Sequence, residues 1–201
     1  MSGTGRPEPV ERAPLTEEQI RAAWVQEPTP LAGRIVIADY DPDWPRLFRR
    51  EADRVRAALG DRALRIEHTG STSVPGLAAK PIIDMLLVVA DSAEERAYVP
   101  ALEAAGYRLV IREPDWWQHR VLKGPDTNVN LHVYTPDCPE VERYLIFRDR
   151  LRSDPADREH YQQVKRELAQ RDWTYVQQYA DAKTEVVEEI IARAQGQAAR
   201  P

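Results

Sequence analysis

A glycine followed by three hydroxyl residues, Gly70-Ser71-Thr72-Ser73, stands shortly before Lys80 and Asp84. The backbone N–H groups of such a turn, with the hydroxyls of Ser71, Thr72 and Ser73, form a cradle that fits a phosphate. Lys80 adds a positive point charge beside it. Asp84 lies inside the apolar run 81–89, where an ionised carboxylate is costly unless it is paired or holds a metal ion. Phosphate handling is one reading of this spacing. The other is a plain loop beside a structural acid.

Further groups could join that cluster. Asp84, His132 and either Glu67 or His68 are expected at one sheet edge, as catalytic groups or as metal ligands. Neutral imidazole with carboxylate suits a transition metal better than magnesium. Alternatively, His68 or His132 serves as a general base near neutral pH. Alternation along a strand sends Glu67 and His68 to opposite faces, so only one can enter a given pocket. His119 reads as structural or exposed, and His160 as solvent-facing. Arg148 and Arg152 are one helical turn apart, and their guanidinium groups suit phosphate or carboxylate. Tyr161 with Lys165, and Tyr179 with Lys183, repeat that spacing. A ring over a base or ribose and an ammonium on a phosphate would clamp a nucleotide. Amphipathic packing of the same residues is the competing reading.

The elements that must position these groups follow from periodicity. Residues 15–25 predict a short helix capped by Thr16, and 45–59 a second, closed by Gly60. Strands are expected at 34–38, 64–68, 81–89, 107–112, 117–123 and 128–134, with a helix at 92–105. The run 81–89 is continuously apolar, as a strand buried on both faces requires. From 139 the pattern turns helical, at 139–152, 155–170 and 173–195. Trp44 reads as a core anchor; of Trp116 and Trp117, only one can face the core. Residues 1–14 read as a disordered tail. The division expected is 1–30 for tail and first helix, 31–137 for an α/β core and 138–201 for a helical region packed on it.

A Gly-Ser turn followed by a strand aspartate resembles the polymerase-beta-type nucleotidyltransferase superfamily. More specifically, the chain resembles the GrpB family. The motifs are Tyr40-x-Pro42-x-Trp44, Glu67-His68-Thr69-Gly70-Ser71-Thr72-Ser73-Val74-Pro75-Gly76 and Lys80-Pro81-Ile82-Ile83-Asp84. They continue with Asn130-x-His132-Val133, Phe147-Arg148-Asp149-x-Leu151-Arg152, Tyr161-x3-Lys165 and Tyr179-x3-Lys183. The resemblance covers roughly 34–192. It implies an α+β fold: a polymerase-beta-type nucleotidyltransferase-like mixed sheet with flanking helices, followed by a helical C-terminal region. It also implies nucleotidyl transfer from a nucleoside triphosphate to an acceptor, with magnesium or another divalent metal at strand carboxylates. A non-catalytic module binding a nucleotide or phosphorylated metabolite is the alternative. A related domain fused to some bacterial dephospho-CoA kinases points to the same chemistry. The sequence departs from the superfamily pattern in two of its three acid positions. The second acid position holds Leu86, and the strand 128–134 offers Asn128, Asn130 and His132 but no Asp or Glu.

Composition narrows the rest. The chain has 201 residues and a net charge of −5, which argues against a whole-protein nucleic-acid footprint. No apolar run has membrane-spanning length, and no secretory signal is read at the start. One cysteine, Cys138, excludes an intramolecular disulfide and fits a reducing, cytoplasmic setting. The partner expected is a nucleotide or phosphorylated small molecule.

Overall fold

The computed structural model describes residues 13–196; residues 1–12 of the expected tail lie outside them. A five-stranded mixed sheet forms the frame, in the order β1-β2-β5-β4-β3. The strands are β1 (Arg65–Thr69), β2 (Ile83–Val88), β3 (Arg108–Glu113), β4 (His119–Lys123) and β5 (Val129–Tyr134). β2 runs parallel to β5, and the other pairs are antiparallel. The helices are α1 (Glu17–Ala23), α2 (Trp44–Leu59), α3 (Val99–Ala104), α4 (Pro139–Ser153), α5 (Pro155–Leu168), α6 (Val176–Asp181) and α7 (Thr184–Ala194). The fold is therefore α+β, with a helical C-terminal region.

Register assigns each strand residue to a face. Met85 pairs with Leu131 and Leu87 with Val133, and these side chains join Trp44, Val55, Leu59, Leu102 and Leu122 in the larger core. On the opposite face Asp84 pairs with Asn130 and Leu86 with His132. There Leu86, Val88 and Tyr134 pack against Cys138, Val141 and Leu145. β2 is apolar almost throughout because both its faces are covered.

Three expectations are corrected. Residues 34–38 form no sheet strand: their only ladder contact is the Ala38–Ala79 pair, with N–H···O distances of 2.9 and 2.8 Å. Their alternation serves packing instead, with Ile35 buried against Leu168, Ala169 and Tyr179 while Val36 is exposed. The helix expected at 92–105 shrinks to α3. Ser92 is buried and holds Thr135 and the Tyr98 hydroxyl, and Pro100 suits only a first helical turn. The helix expected at 173–195 is two, α6 and α7, which meet at Ala182 and Lys183. Trp44 is a core anchor at 3% exposure, as its position predicts.

Candidate functional site

A cleft of about 580 Å3 lies between the Asp84 face of the sheet and the helices α5 to α7, with α1 along one side. Its lining includes Gly70, Ser71, Lys80, Asp84, Lys123, Asn130, His132, Tyr161, Lys165, Tyr179 and Lys183. The turn after β1 delivers the first two. Gly70 has φ +63°, and a Cβ there would stand 2.4 Å from Asp84 Oδ2. Only glycine lets the turn lie directly on the carboxylate. The next three residues form a single 3-10 turn, Ser71–Ser73.

The hydroxyls divide by role. Thr72 donates to the Ile82 carbonyl (3.0 Å) and meets His68 Nε2 (3.1 Å), and Ser73 donates to the Gly70 carbonyl (2.6 Å). Both are buried and hold the loop itself. The cradle expected from three hydroxyls therefore reduces to Ser71, with the N–H groups of Ser71 and Thr72. Among the described residues those two N–H groups meet no acceptor.

Asp84 is tied at one oxygen. Asn130 Nδ2 donates to Oδ1 at 2.8 Å, and His132 Nε2 lies 3.8 Å away. Burial alone would raise its carboxyl, but His132, Asn130 and Lys80 outweigh burial and hold it below the usual carboxylate range. His132 Nδ1 meets His119 Nε2 at 3.0 Å, and His119 Nδ1 meets Glu113 at 2.7 Å. A chain of titratable groups thus runs across β2, β5, β4 and β3. His119, read as merely structural or exposed, is buried and belongs to it.

All four lysines of the chain line this cleft, while the other 24 of its 28 basic residues are arginines. Among the described residues, none of the four makes an ion pair with a carboxylate within 4.0 Å. Lys165 is 2% exposed; its Nζ lies 3.1 Å from Ser71 Oγ, donates to the Ala78 carbonyl and sits over the Tyr161 ring. Burial, with Lys183, Arg166 and Lys80 nearby, lowers its amine to about 6. Lys80 and Lys183 flank the Tyr179 ring at 5.0 and 4.7 Å. Burial and Lys183 bring Lys80 down to about 8, against the pull of Asp84. Lys123 donates to Asn130 and is lowered by burial. The Tyr179 hydroxyl is buried with no hydrogen-bond partner among the described residues. Lys123 was missed from the sequence; the scarcity of lysine in an arginine-rich chain was the available signal.

The structure separates the remaining expected residues from this cleft. His68 lies on the opposite sheet face, stacked on Phe48 at 4.7 Å. Burial, with Arg152 and Arg148 nearby, lowers it to about 4 against the pull of Asp84. Arg148 Nη1 holds Glu67 at 2.8 Å and the His68 carbonyl at 3.2 Å. Arg152 donates twice to the Ser73 carbonyl, at 3.0 and 2.8 Å. These arginines brace the outside of the turn, in a separate shallow depression with Arg49 and Arg158. The three residues expected as a metal set, Asp84, Glu67 and His132, are not gathered at one point. Glu67 is held by Arg148 and Arg65, and no three His, Cys, Asp or Glu among the described residues gather as a metal centre. The residues present do not fit a protein-built divalent site, and Leu86 is fully buried in apolar packing where a second acid would stand.

Sheet, Gly-Ser turn and helical cover define an α+β protein that encloses a lysine-lined cleft. The chain belongs to the GrpB family, whose pattern, described as GrpB protein, matches residues 34–193. A UPF0157 protein of Halalkalibacterium halodurans is 57% identical over 90% of this chain and 93% of that one. A dephospho-CoA kinase of Mycolicibacterium paratuberculosis is 33% identical over 65% of this chain and 39% of its own length. The crystal structure of the conserved protein GrpB from Enterococcus faecalis matches with a TM-score of 0.70 at 32% identity, over 80% of this chain and 98% of that one.

Proposed function

We propose that the cleft binds the phosphate chain of a nucleotide or phosphorylated metabolite, and that the protein is a nucleotidyltransferase-like protein acting on a nucleoside triphosphate. The observation that carries this reading is the convergence of Lys80, Lys123, Lys165 and Lys183 on one cleft, around Asp84 and with Glu113, Glu140 and Glu188 also in its lining. Lysines this crowded, with no carboxylate in ion-pair contact among the described residues, are costly to hold charged in a recess unless an anion completes them. The N–H groups of Ser71 and Thr72 and the Tyr179 hydroxyl, none of which meets a hydrogen-bond partner among the described residues, supply donors for the same anion.

Each residue has a physical task in such a site. Lys80 and Lys183 neutralise the phosphate chain and the charge that builds on its leaving oxygens. The turn at Gly70 and Ser71 fixes the position of one phosphate. Asp84 orients Asn130 and His132 and balances the lysines. Tyr161 and Tyr179 form the wall behind the ammonium groups. A binding module without turnover is the second reading. It is favoured by Leu86 and by the absence of a gathered set of acids among the described residues.

Thermal melting tests both readings against nucleoside triphosphates, coenzyme A precursors and inorganic phosphate, each with and without magnesium or manganese. A ligand at 100 times its Kd adds about 2.7 kcal/mol of stability, a readily measured shift. A shift with one nucleotide supports the cleft reading, and release of diphosphate from it supports transfer. A shift without turnover supports the binding module. Unchanged melting with every compound overturns the phosphate reading.

A further inference from the structure

We infer that Ser71 is a nucleophile toward phosphorus and that Lys165 is the base that takes its proton. This rests on the phosphate reading of the cleft and adds a covalent intermediate to it. Ser71 stands where β1 turns into a single helical turn, placed by the positive φ of Gly70. Its Oγ meets Lys165 Nζ at 3.1 Å. Unlike Thr72 and Ser73, it spends its hydroxyl on no carbonyl of its own loop.

A protonated lysine would hold Ser71 as an acceptor and leave it inert. A neutral one presents a lone pair to the hydroxyl. The surroundings of Lys165 favour the neutral form. Its amine is buried, no carboxylate pairs with it, and the cations around it are Lys80 from the loop, Lys183 at the start of α7 and Arg166 on its own helix. Tyr161, also on α5, stays protonated because burial raises it to about 12. The Ala78 carbonyl takes one N–H of the amine and aims the nitrogen.

With a nucleoside triphosphate, the bond from Ser71 Oγ to the α-phosphorus forms as the bond to the diphosphate oxygen breaks. The electron pair leaves with the diphosphate, beside Lys80 and Lys183. The hydroxyl proton passes to Lys165 Nζ. An acceptor hydroxyl, or water, then attacks the same phosphorus; the bond to Ser71 Oγ breaks, Ser71 recovers its proton from Lys165, and the proton of the attacking group passes to the freed Lys165 amine and on to solvent. This route takes its charge neutralisation from lysines and its activation from a neutral amine, both of which the chain supplies.

The test uses a fluorophosphonate probe on the full chain, followed by peptide mapping. The Ser71 oxygen displaces fluoride, so labelling reads nucleophilicity without a known substrate. One label on Ser71, absent in Ser71→Ala, is the expected result. Lys165→Arg places a permanent cation there and cannot accept a proton, and it should slow labelling by about 100-fold. The wild-type labelling rate should be flat at neutral pH and fall in mild acid as Lys165 protonates, a change that a purely structural lysine would not produce. This profile stands even if the variant fails to fold. No label on Ser71, or an unchanged rate in a folded Lys165→Arg protein, overturns the inference. Nucleotide-dependent melting without labelling overturns it while leaving the phosphate reading intact. Labelling without any nucleotide shift supports the nucleophile and overturns the phosphate reading.

Discussion

Replacing Lys165 by methionine should flatten the pH dependence of stability. Lys165 is 2% exposed and its amine falls from an ordinary value of 10.5 to about 6 in the folded protein. Between those values the folded chain holds the amine neutral while the unfolded chain holds it protonated. Unfolding therefore takes up a proton, and stability rises with pH by about 1.4 kcal/mol per pH unit from this group alone. The penalty is absent above pH 10.5, amounts to roughly 4–5 kcal/mol at pH 7, and is complete below pH 6. Methionine removes that slope. It also removes the bonds to Ser71 and the Ala78 carbonyl, which costs roughly 1–3 kcal/mol whatever the pH in this window. Slope and offset are thus separable. Urea unfolding followed by tryptophan fluorescence at pH 7, 8 and 9 gives both. The difference between wild type and Lys165→Met should change by about 2.7 kcal/mol across those two pH units, the wild type gaining on the variant as pH rises. Lys80 titrates in both proteins and drops out of the difference. Parallel stability curves would refute the reasoning, because they would mean that Lys165 folds with its proton on.

Gly70→Ala should destabilise the protein by roughly 2–4 kcal/mol in urea melts, since a new Cβ stands 2.4 Å from Asp84 Oδ2 at φ +63°. A loss under about 0.5 kcal/mol would show that the turn does not rest on the carboxylate. Arg148→Met should lower stability by roughly 1–3 kcal/mol, through Glu67 and the His68 carbonyl, yet leave ligand affinity in the cleft unchanged. Weakened binding would place Arg148 at the site after all. Tyr179→Phe removes a buried hydroxyl that has no partner among the described residues, so the unliganded protein should keep or gain stability while any phosphate ligand binds more weakly. Titration calorimetry checks the second half, and unchanged affinity would leave that hydroxyl without a ligand role.

Legibility in the sequence followed the range of the interactions involved. The strand 81–89 could be read because burial on both faces leaves an apolar run that nothing else in the chain imitates. Thr16 and Gly60 marked helix ends because caps are local chemistry. Residues 34–38 misled because strand-like alternation records only that one side is buried. Here the burying partner is the helical region and not a neighbouring strand. At the site, Gly70, Ser71, Lys80 and Asp84 were legible because they lie within one short stretch. Alternation separated Glu67 from His68 correctly, but the face that each would take depends on which layer covers the sheet. Arg148 and Arg152 matched the requirements for phosphate recognition in type and spacing. What decided against the cleft was a carbonyl and a carboxylate across the tertiary fold, at Ser73 and Glu67. His119 was undervalued for the same reason: its partners Glu113 and His132 come from flanking strands.

The cleft draws Ser71, Lys80 and Asp84 from the sheet side, and Lys165, Tyr179 and Lys183 from α5 to α7. Neither contribution makes a site alone. The helices need only swing a little way off the sheet for the ammonium groups to disperse into water, and such an opening demands far less than melting β2 and β5. An anion in the cleft would therefore act as a rivet, adding to the apolar packing of Val74 and Leu77 against Tyr161, Val186 and Ile190 that already joins the two layers. Amide hydrogen exchange in α5 to α7 should then slow on binding by more than it does in the central strands. Occupancy would set how tightly the two layers hold each other, and with it how long the protein survives proteolysis.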